Sequence, residues 1–233
     1  MKKIFLTTAL LAMSAGVARA DVVTIDTIVD NWQNAVGGLN VIYNNQANPN
    51  PDTVSWGTNI GNGQSSYVWD STNTAFITNT GVNFALGTFT HNNQAIGGGS
   101  SISSVDLAFS VGTFQNPATL STTFLFQHDE TPNKTPCSYL SNTPCADKVT
   151  ITNPFLNAPI QYNNKNYFFS LLGFSVNNGA SFSNQFVTQE GVANNAQLFA
   201  VITETPVPDG GATVALLGSA LMGLGLLRRR FKA

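Results

Sequence analysis

The chain has 233 residues, of which only 9% are charged, with 10 Lys+Arg against 12 Asp+Glu. Seven of those cations (Lys2, Lys3, Arg19, Arg228, Arg229, Arg230 and Lys232) sit at the two ends, so residues 21–205 set three lysines against eleven acids, a net charge of −8. A surface so poor in cations cannot neutralise phosphates, which excludes nucleic acid and anionic headgroups as its partners but leaves divalent cations and neutral sugars open.

The first twenty residues form a targeting segment. Lys2 and Lys3 precede an apolar run from Ile4 to Ala12, and Ala18-Arg19-Ala20 offers a small-x-small cleavage site. This is the pattern of a secretory signal peptide, removed to leave Asp21 as the first mature residue. Residues 21–205 are one domain by length, long enough for a real core. Fourteen of the 16 phenylalanines fall there. Low hydrophobicity with high charge would mark disorder, and the segment has neither.

The dominant period in this region is two. Val105, Leu107, Phe109 and Val111 alternate with Ser104, Asp106, Ala108 and Ser110, as in a half-buried strand. Further predicted strands, in chain order, are "VVTIDTIV", "SYVWD", "TAFIT", "VNFALGTFTH", "STTFLFQHD", "KVTIT", "NYFFSLLGFSV", "NQFVTQE" and "AQLFAVITET". Segments dense in turn residues, such as "NNQANPNPD", "IGGGSS" and "QNPAT", separate them. The prediction is an all-β antiparallel β-sandwich, jelly-roll or Ig-like, with Leu107, Phe109, Phe124, Phe126, Phe174 and Val201 buried.

Candidate functional residues are few. His91 closes the alternating run Val82, Phe84, Leu86, and Thr90 and Asn93 beside it can fix its tautomer. That makes it a satisfied histidine at a strand-to-loop corner, or alternatively a ligand. His128 shares a face with Phe124 and Phe126. Two histidines so distant in sequence, without further soft ligands, argue against a structural zinc site. Cys137 and Cys145 are the only cysteines. In an exported chain they form a disulfide, stabilising by about 2.5 kcal/mol through loop constraint. Asp129, Glu130 and Asp147 bracket that loop as solvated acids or, if brought together, as weak calcium candidates. No other cofactor is expected. Trp32, Trp56 and Trp69, if exposed, would stack on sugar rings, which gives a carbohydrate-binding alternative. Catalytic signatures are missing: there is no Gly-x-Ser-x-Gly, His-Glu-x-x-His, phosphate loop or dinucleotide fingerprint, and a non-enzymatic protein is expected.

The chain ends on "PVPDGGATVALLGSALMGLGLLRRRFKA". Pro206 and Pro208 keep the approach extended, and Asp209 is a good helix N-cap. About 16 uncharged residues from Ala212 to Leu227 follow, then the stop-transfer cluster Arg228, Arg229 and Arg230. Cationic flanks stay cytoplasmic, so a transmembrane helix here leaves the domain outside.

A short Pro-containing motif, an apolar helix and an Arg cluster together resemble the PEP-CTERM sorting signal of Gram-negative bacteria. Val207-Pro208-Asp209-Gly210-Gly211 stands where the usual Pro-Glu-Pro would, and so resembles the VPDGG variant. The resemblance implies that an exosortase-type membrane sortase cuts near the motif within residues 206–233 and releases or re-anchors the protein; the expected destination is the cell surface or extracellular matrix, with exopolysaccharide as a candidate partner. Thr90-His91-Asn92-Asn93 is similar to the signature of the THxN subgroup of these proteins. Trp56-Gly57, "HDETPN", "LLGF" and "FVTQE" fit that group's pattern, which is akin to choice-of-anchor domains. The resemblance implies export and sorting without assigning the domain an activity.

Overall fold

Runs of alternating apolar and polar residues build strands that bury one face, and thirteen strands form among the described residues. The computed structural model describes residues 20–47, 51–72, 75–113, 118–139, 144–152, 158–162 and 165–204, with 218, 219 and 221. Residues 1–19 of the expected signal peptide, the sorting motif Val207–Gly211 and Arg228–Arg230 lie outside the described residues. Among the described residues no helix is long and apolar enough to cross a membrane.

In chain order the strands are β1 (Val22–Gly37), β2 (Ile42–Asn44), β3 (Asp52–Trp56), β4 (Ser65–Ser71), β5 (Phe76–Asn79), β6 (Asn83–Asn93), β7 (Ile102–Thr113), β8 (Ala118–Asp129), β9 (Asp147–Ile151), β10 (Ala158–Tyr162), β11 (Lys165–Ser175), β12 (Gln185–Thr188) and β13 (Val192–Glu204). One sheet has the order β12-β9-β8-β7-β1-β5, the other β10-β11-β13-β6-β4-β3-β2. All pairings are antiparallel. The sheets face each other across an aromatic layer, in which Phe89 of one sheet stacks on Phe126 of the other at 5.4 Å between ring centres. Each such aromatic pair is worth about 0.5–1.5 kcal/mol beyond its buried area.

Leu107, Phe109, Phe124, Phe126 and Phe174 are buried as expected. Val201 is only half-buried. The inward positions of β13 are Ala196, Leu198, Ala200 and Ile202, so an odd-numbered residue there points out. Trp32, Trp56 and Trp69 are each at most 1% exposed, which removes the sugar-stacking platform. Trp32 lies beyond the predicted end of the first strand, because β1 continues to Gly37. There Ile28, Asp30 and Trp32 all point inward.

A bulge in β6 sets the rest. Leu198 pairs with Gly87 while Phe199 pairs with Ala85, so Leu86 is an extra residue on β6. Before the bulge Phe84 and Leu86 are buried; after it Phe89, His91 and Asn93 are. The extra residue turns the strand over. Gly87 permits the close approach, since a Cβ there would lie 2.4 Å from the Asp70 carbonyl oxygen and 2.8 Å from the Ser71 Cα.

The two ends of the sandwich differ. At the proximal pole Asp21 meets the first residue of β11 and the last of β13: the Lys165 Nζ lies 2.7 Å from Asp21 Oδ2 and 3.1 Å from Glu204 Oε1. The Tyr167 hydroxyl donates to the same Asp21 oxygen at 2.7 Å. The Lys165 ammonium, ahead of Tyr167, holds the Asp21 carboxyl below its ordinary range. The distal pole is reached along β13, whose thirteen residues span about 40 Å. Near that pole the Cys137–Cys145 disulfide closes the expected loop ahead of β9.

Gly87→Ala should cost about 2–4 kcal/mol, because the obstacle is backbone that cannot swing aside. Gly98→Ala, in a loop where nothing lies within 4 Å of the new Cβ, should stay within about 0.5 kcal/mol. Urea unfolding of the two variants checks the contrast.

Candidate functional site

Four segments deliver polar side chains to the distal pole. His128 comes from the end of β8 and Glu130 from the loop beyond it, Asp147 opens β9, and Glu190 sits in the turn between β12 and β13. The ligating atoms of His128, Glu130 and Asp147 all lie within 4.8 Å of one another. His128 is packed beneath the cluster. Its Nε2 is 3.1 Å from Glu130 Oε2 and its Nδ1 2.6 Å from the Tyr67 hydroxyl. A carboxylate can only accept, so Nε2–H donates to Glu130 and Nδ1 accepts from the tyrosine. Asp147 Oδ1 accepts the Thr131 N–H at 2.7 Å. Its Oδ2 and both oxygens of Glu190 are buried without a hydrogen-bond partner.

Burial dominates the electrostatics. It pushes the Asp147 carboxyl up to about 6, with the Glu130 charge adding to the effect. Burial also pushes Glu190 up to about 7, helped by Asp147 and Glu130. The Asn133 amide pulls Glu190 the other way without reaching hydrogen-bonding geometry. The Tyr67 hydroxyl is raised well above its ordinary value by burial and then by Asp147 and Glu130. Among the described residues no lysine or arginine pairs with these three carboxylates. Glu130 also lines a cleft of about 440 Å³ with Ile96, Gly97, Pro132 and Asn133, which opens the cluster to solvent.

The Thr90-His91-Asn93 motif has a different job from the local corner expected of it. Thr90 faces outward and donates to Asn195 Oδ1 at 2.7 Å. His91 is fully buried, stacked on Trp56 at 5.9 Å, and its Nδ1 meets the Thr188 hydroxyl at 2.8 Å. Burial, and then His128, lower its pKa well below the usual imidazole value. Asn93 Nδ2 donates to the Thr188 carbonyl at 3.1 Å, and the Gly191 N–H donates to the Asn93 carbonyl at 2.7 Å. Asn194 completes the clamp by accepting the Gln189 N–H at 2.8 Å. The motif therefore fixes the segment Thr188–Gly191 that presents Glu190. His91 and His128, far apart in sequence, lie 5.2 Å apart between ring centres.

Of the three acids singled out from sequence, Glu130 and Asp147 do converge. Asp129 does not: strand alternation turns it away from His128, and it takes the Tyr139 hydroxyl at the surface. Glu190, Thr188 and Tyr67 were missed. No spacing rule joins a residue of β4 to one of β12 and one of the turn after it, and although Thr188 and Glu190 both fall in the "FVTQE" string, nothing in that string gives them a chemical role.

Comparison with protein-family models finds a match outside the sandwich. Residues 206–231 match the VPDSG-CTERM motif. Val207-Pro208-Asp209 agree with that motif's name, and Gly210 stands in place of its serine. The motif is a PEP-CTERM-like sorting signal and indicates an exported protein processed by an exosortase-type membrane enzyme. Among curated proteins, none matches the chain.

A second pair of buried acids lies between the sheets. Asp30 points inward from β1 and meets Asp52 of β3; each keeps one oxygen, Oδ2, without a partner. Burial, then Asp52, push the Asp30 carboxyl up to about 7, and burial raises Asp52 as well. A single proton shared between them satisfies both oxygens. The folded state therefore holds more protons than the unfolded chain between pH 4 and 7, roughly, so stability is greatest at the acid end and falls as pH rises through that window. Asp147 and Glu190 contribute with the same sign. Asp30→Asn should keep a donor to Asp52 and shrink the difference in unfolding free energy between pH 5 and pH 8 by about 1–2 kcal/mol, less than the full shift because the pair is partly screened. Denaturation curves at the two pH values measure this.

Proposed function

We propose that the chain is an exported, non-enzymatic β-sandwich protein, held at the membrane by its tail, cut near Asp209 by an exosortase-type enzyme, and destined for the cell surface or an exopolysaccharide-containing matrix. The supporting observation is the sorting motif at residues 206–231, which begins two residues beyond Glu204, the last residue of β13. The mature N-terminus at Asp21 is tied through Lys165 to that same Glu204. A sandwich closed at its base in this way tolerates removal of the tail, because the cut falls outside its ion pair. The sequence of residues 21–205, with three lysines and abundant Asn, Ser, Thr and Gly, suits a neutral, hydrated glycan environment better than an anionic one.

Two chemical demands fall on the motif. A sortase must bind an extended substrate outside the bilayer, and Pro208 fixes φ and biases Val207 away from helix. Gly210 and Gly211 let the backbone enter a narrow site. The short apolar run then holds the bond close to an enzyme embedded in the membrane. Pro208→Ala combined with Asp209→Ala should leave export and insertion intact but block loss of the C-terminal segment. Blotting membrane and medium fractions for tags on both sides of Asp209 reads the outcome. Normal processing of the double variant would reduce the tail to a plain anchor.

A further inference from the structure

The structure assigns a binding site for a divalent transition-metal ion of the zinc or manganese class to His128, Glu130, Asp147 and Glu190 at the distal pole. The first three already place their donor atoms within 4.8 Å of one another. The independent observation is Asp147, a member of that group: it is fully buried, and its Oδ2 has no hydrogen-bond partner. Glu190, 5% exposed and with neither oxygen partnered, adds a second such carboxylate that feels the Asp147 and Glu130 charges. Buried carboxylates left unpaired are costly, and a cation is what normally relieves them.

A proton alone does not meet the need. A proton on each carboxyl cancels its charge but gives none of the three unpartnered oxygens of Asp147 and Glu190 a hydrogen-bond partner. No lysine or arginine among the described residues supplies the missing charge. The donor set then selects the ion. Calcium takes oxygen ligands only, whereas one imidazole nitrogen with several carboxylates suits borderline Zn²⁺, or the harder Mn²⁺ where the carboxylates dominate. His128 is prepared for the role: when its Nε2 binds the ion, its remaining proton sits on Nδ1 and faces the Tyr67 oxygen 2.6 Å away. That is the outer hydrogen bond by which metal-binding histidines are commonly held in orientation. The buried motif residues His91 and Asn93 hold Thr188 at 2.8 and 3.1 Å, and so position the Glu190 turn. The cleft beside Glu130 provides the entry path.

The test uses the full chain purified in detergent, stripped with EDTA and titrated separately with Zn²⁺, Mn²⁺ and Ca²⁺. Bound metal is counted by mass spectrometry and the unfolding midpoint is followed. The expected result is one equivalent of Zn²⁺ or Mn²⁺ per chain and a midpoint raised by several degrees. Glu130→Gln, whose side chain is partly exposed and so spares the core, and Glu190→Gln should each weaken binding at least tenfold. In the stripped protein Glu190→Gln should instead raise the midpoint, since it removes a buried charge; a purely structural carboxylate would not produce that reversal of sign. Failure of folded wild-type chain to bind either ion would overturn the assignment. So would binding that both variants leave unchanged, or binding confined to Ca²⁺.

Discussion

A single extra residue in β6 turns that strand over at Gly87, and the distal half of the molecule is built on the reversal. Before the bulge the even-numbered residues Phe84 and Leu86 enter the core; after it Phe89, His91 and Asn93 do. Phe89 then reaches Phe126 across the sheets, and His91 packs on Trp56 and reaches Thr188. Without the reversal the imidazole would point to solvent and the turn bearing Glu190 would lose its clamp. Bulges near sites commonly re-aim a side chain in this way. The neighbouring strand β11 bulges at the same level, with Gly173 opposite Phe199. Both partners of β13 therefore change phase at one height, and β13 runs through unbroken.

The two poles divide the tasks. At the proximal pole polar groups are partly exposed, mutually paired and close to both ends of the exported domain. At the distal pole they are mostly buried, mutually repelling and as far from Glu204, the last residue of β13, as the strands allow. The disulfide loop and the Glu190 turn both lie at that far end, joined by the Gln189 Nε2 donating to the Pro144 carbonyl at 2.7 Å.

Strand alternation made most of the sheet architecture readable in advance. The inward faces of β7 and β8 follow directly from Val105, Leu107 and Phe109 and from Phe124 and Phe126, and His128 extends the second series as expected. Short strands with little apolar content were not readable: β2, β3 and β10 carry too few alternating residues to stand out from turns. The site was harder for a different reason. Its phase depends on a bulge, which is a property of two strands at once, while the alternating run Val82, Phe84, Leu86 points His91 outward when extended. The burial of Trp32, Trp56 and Trp69 was not readable either: a surface use is weighed for them in sequence, but the facing sheet covers them.

The same chemistry meets two different ends in the two buried acid groups. In a segment with three lysines, each buried carboxylate must be relieved by a proton, a polar donor or a metal, since a cationic side chain is rarely within reach. Asp30 and Asp52 leave two oxygens, one apiece, and a single shared proton closes the account between them. They sit between the sheets, where packing holds the pair together whatever the solvent contains. Asp147 and Glu190 leave three oxygens, with the Glu130 charge beside them and a histidine nitrogen within reach. Glu130, beside Asp147, lines a cleft through which an ion can enter. The number of unpartnered oxygens, more than the number of acids, separates a proton-sharing pair from a metal site.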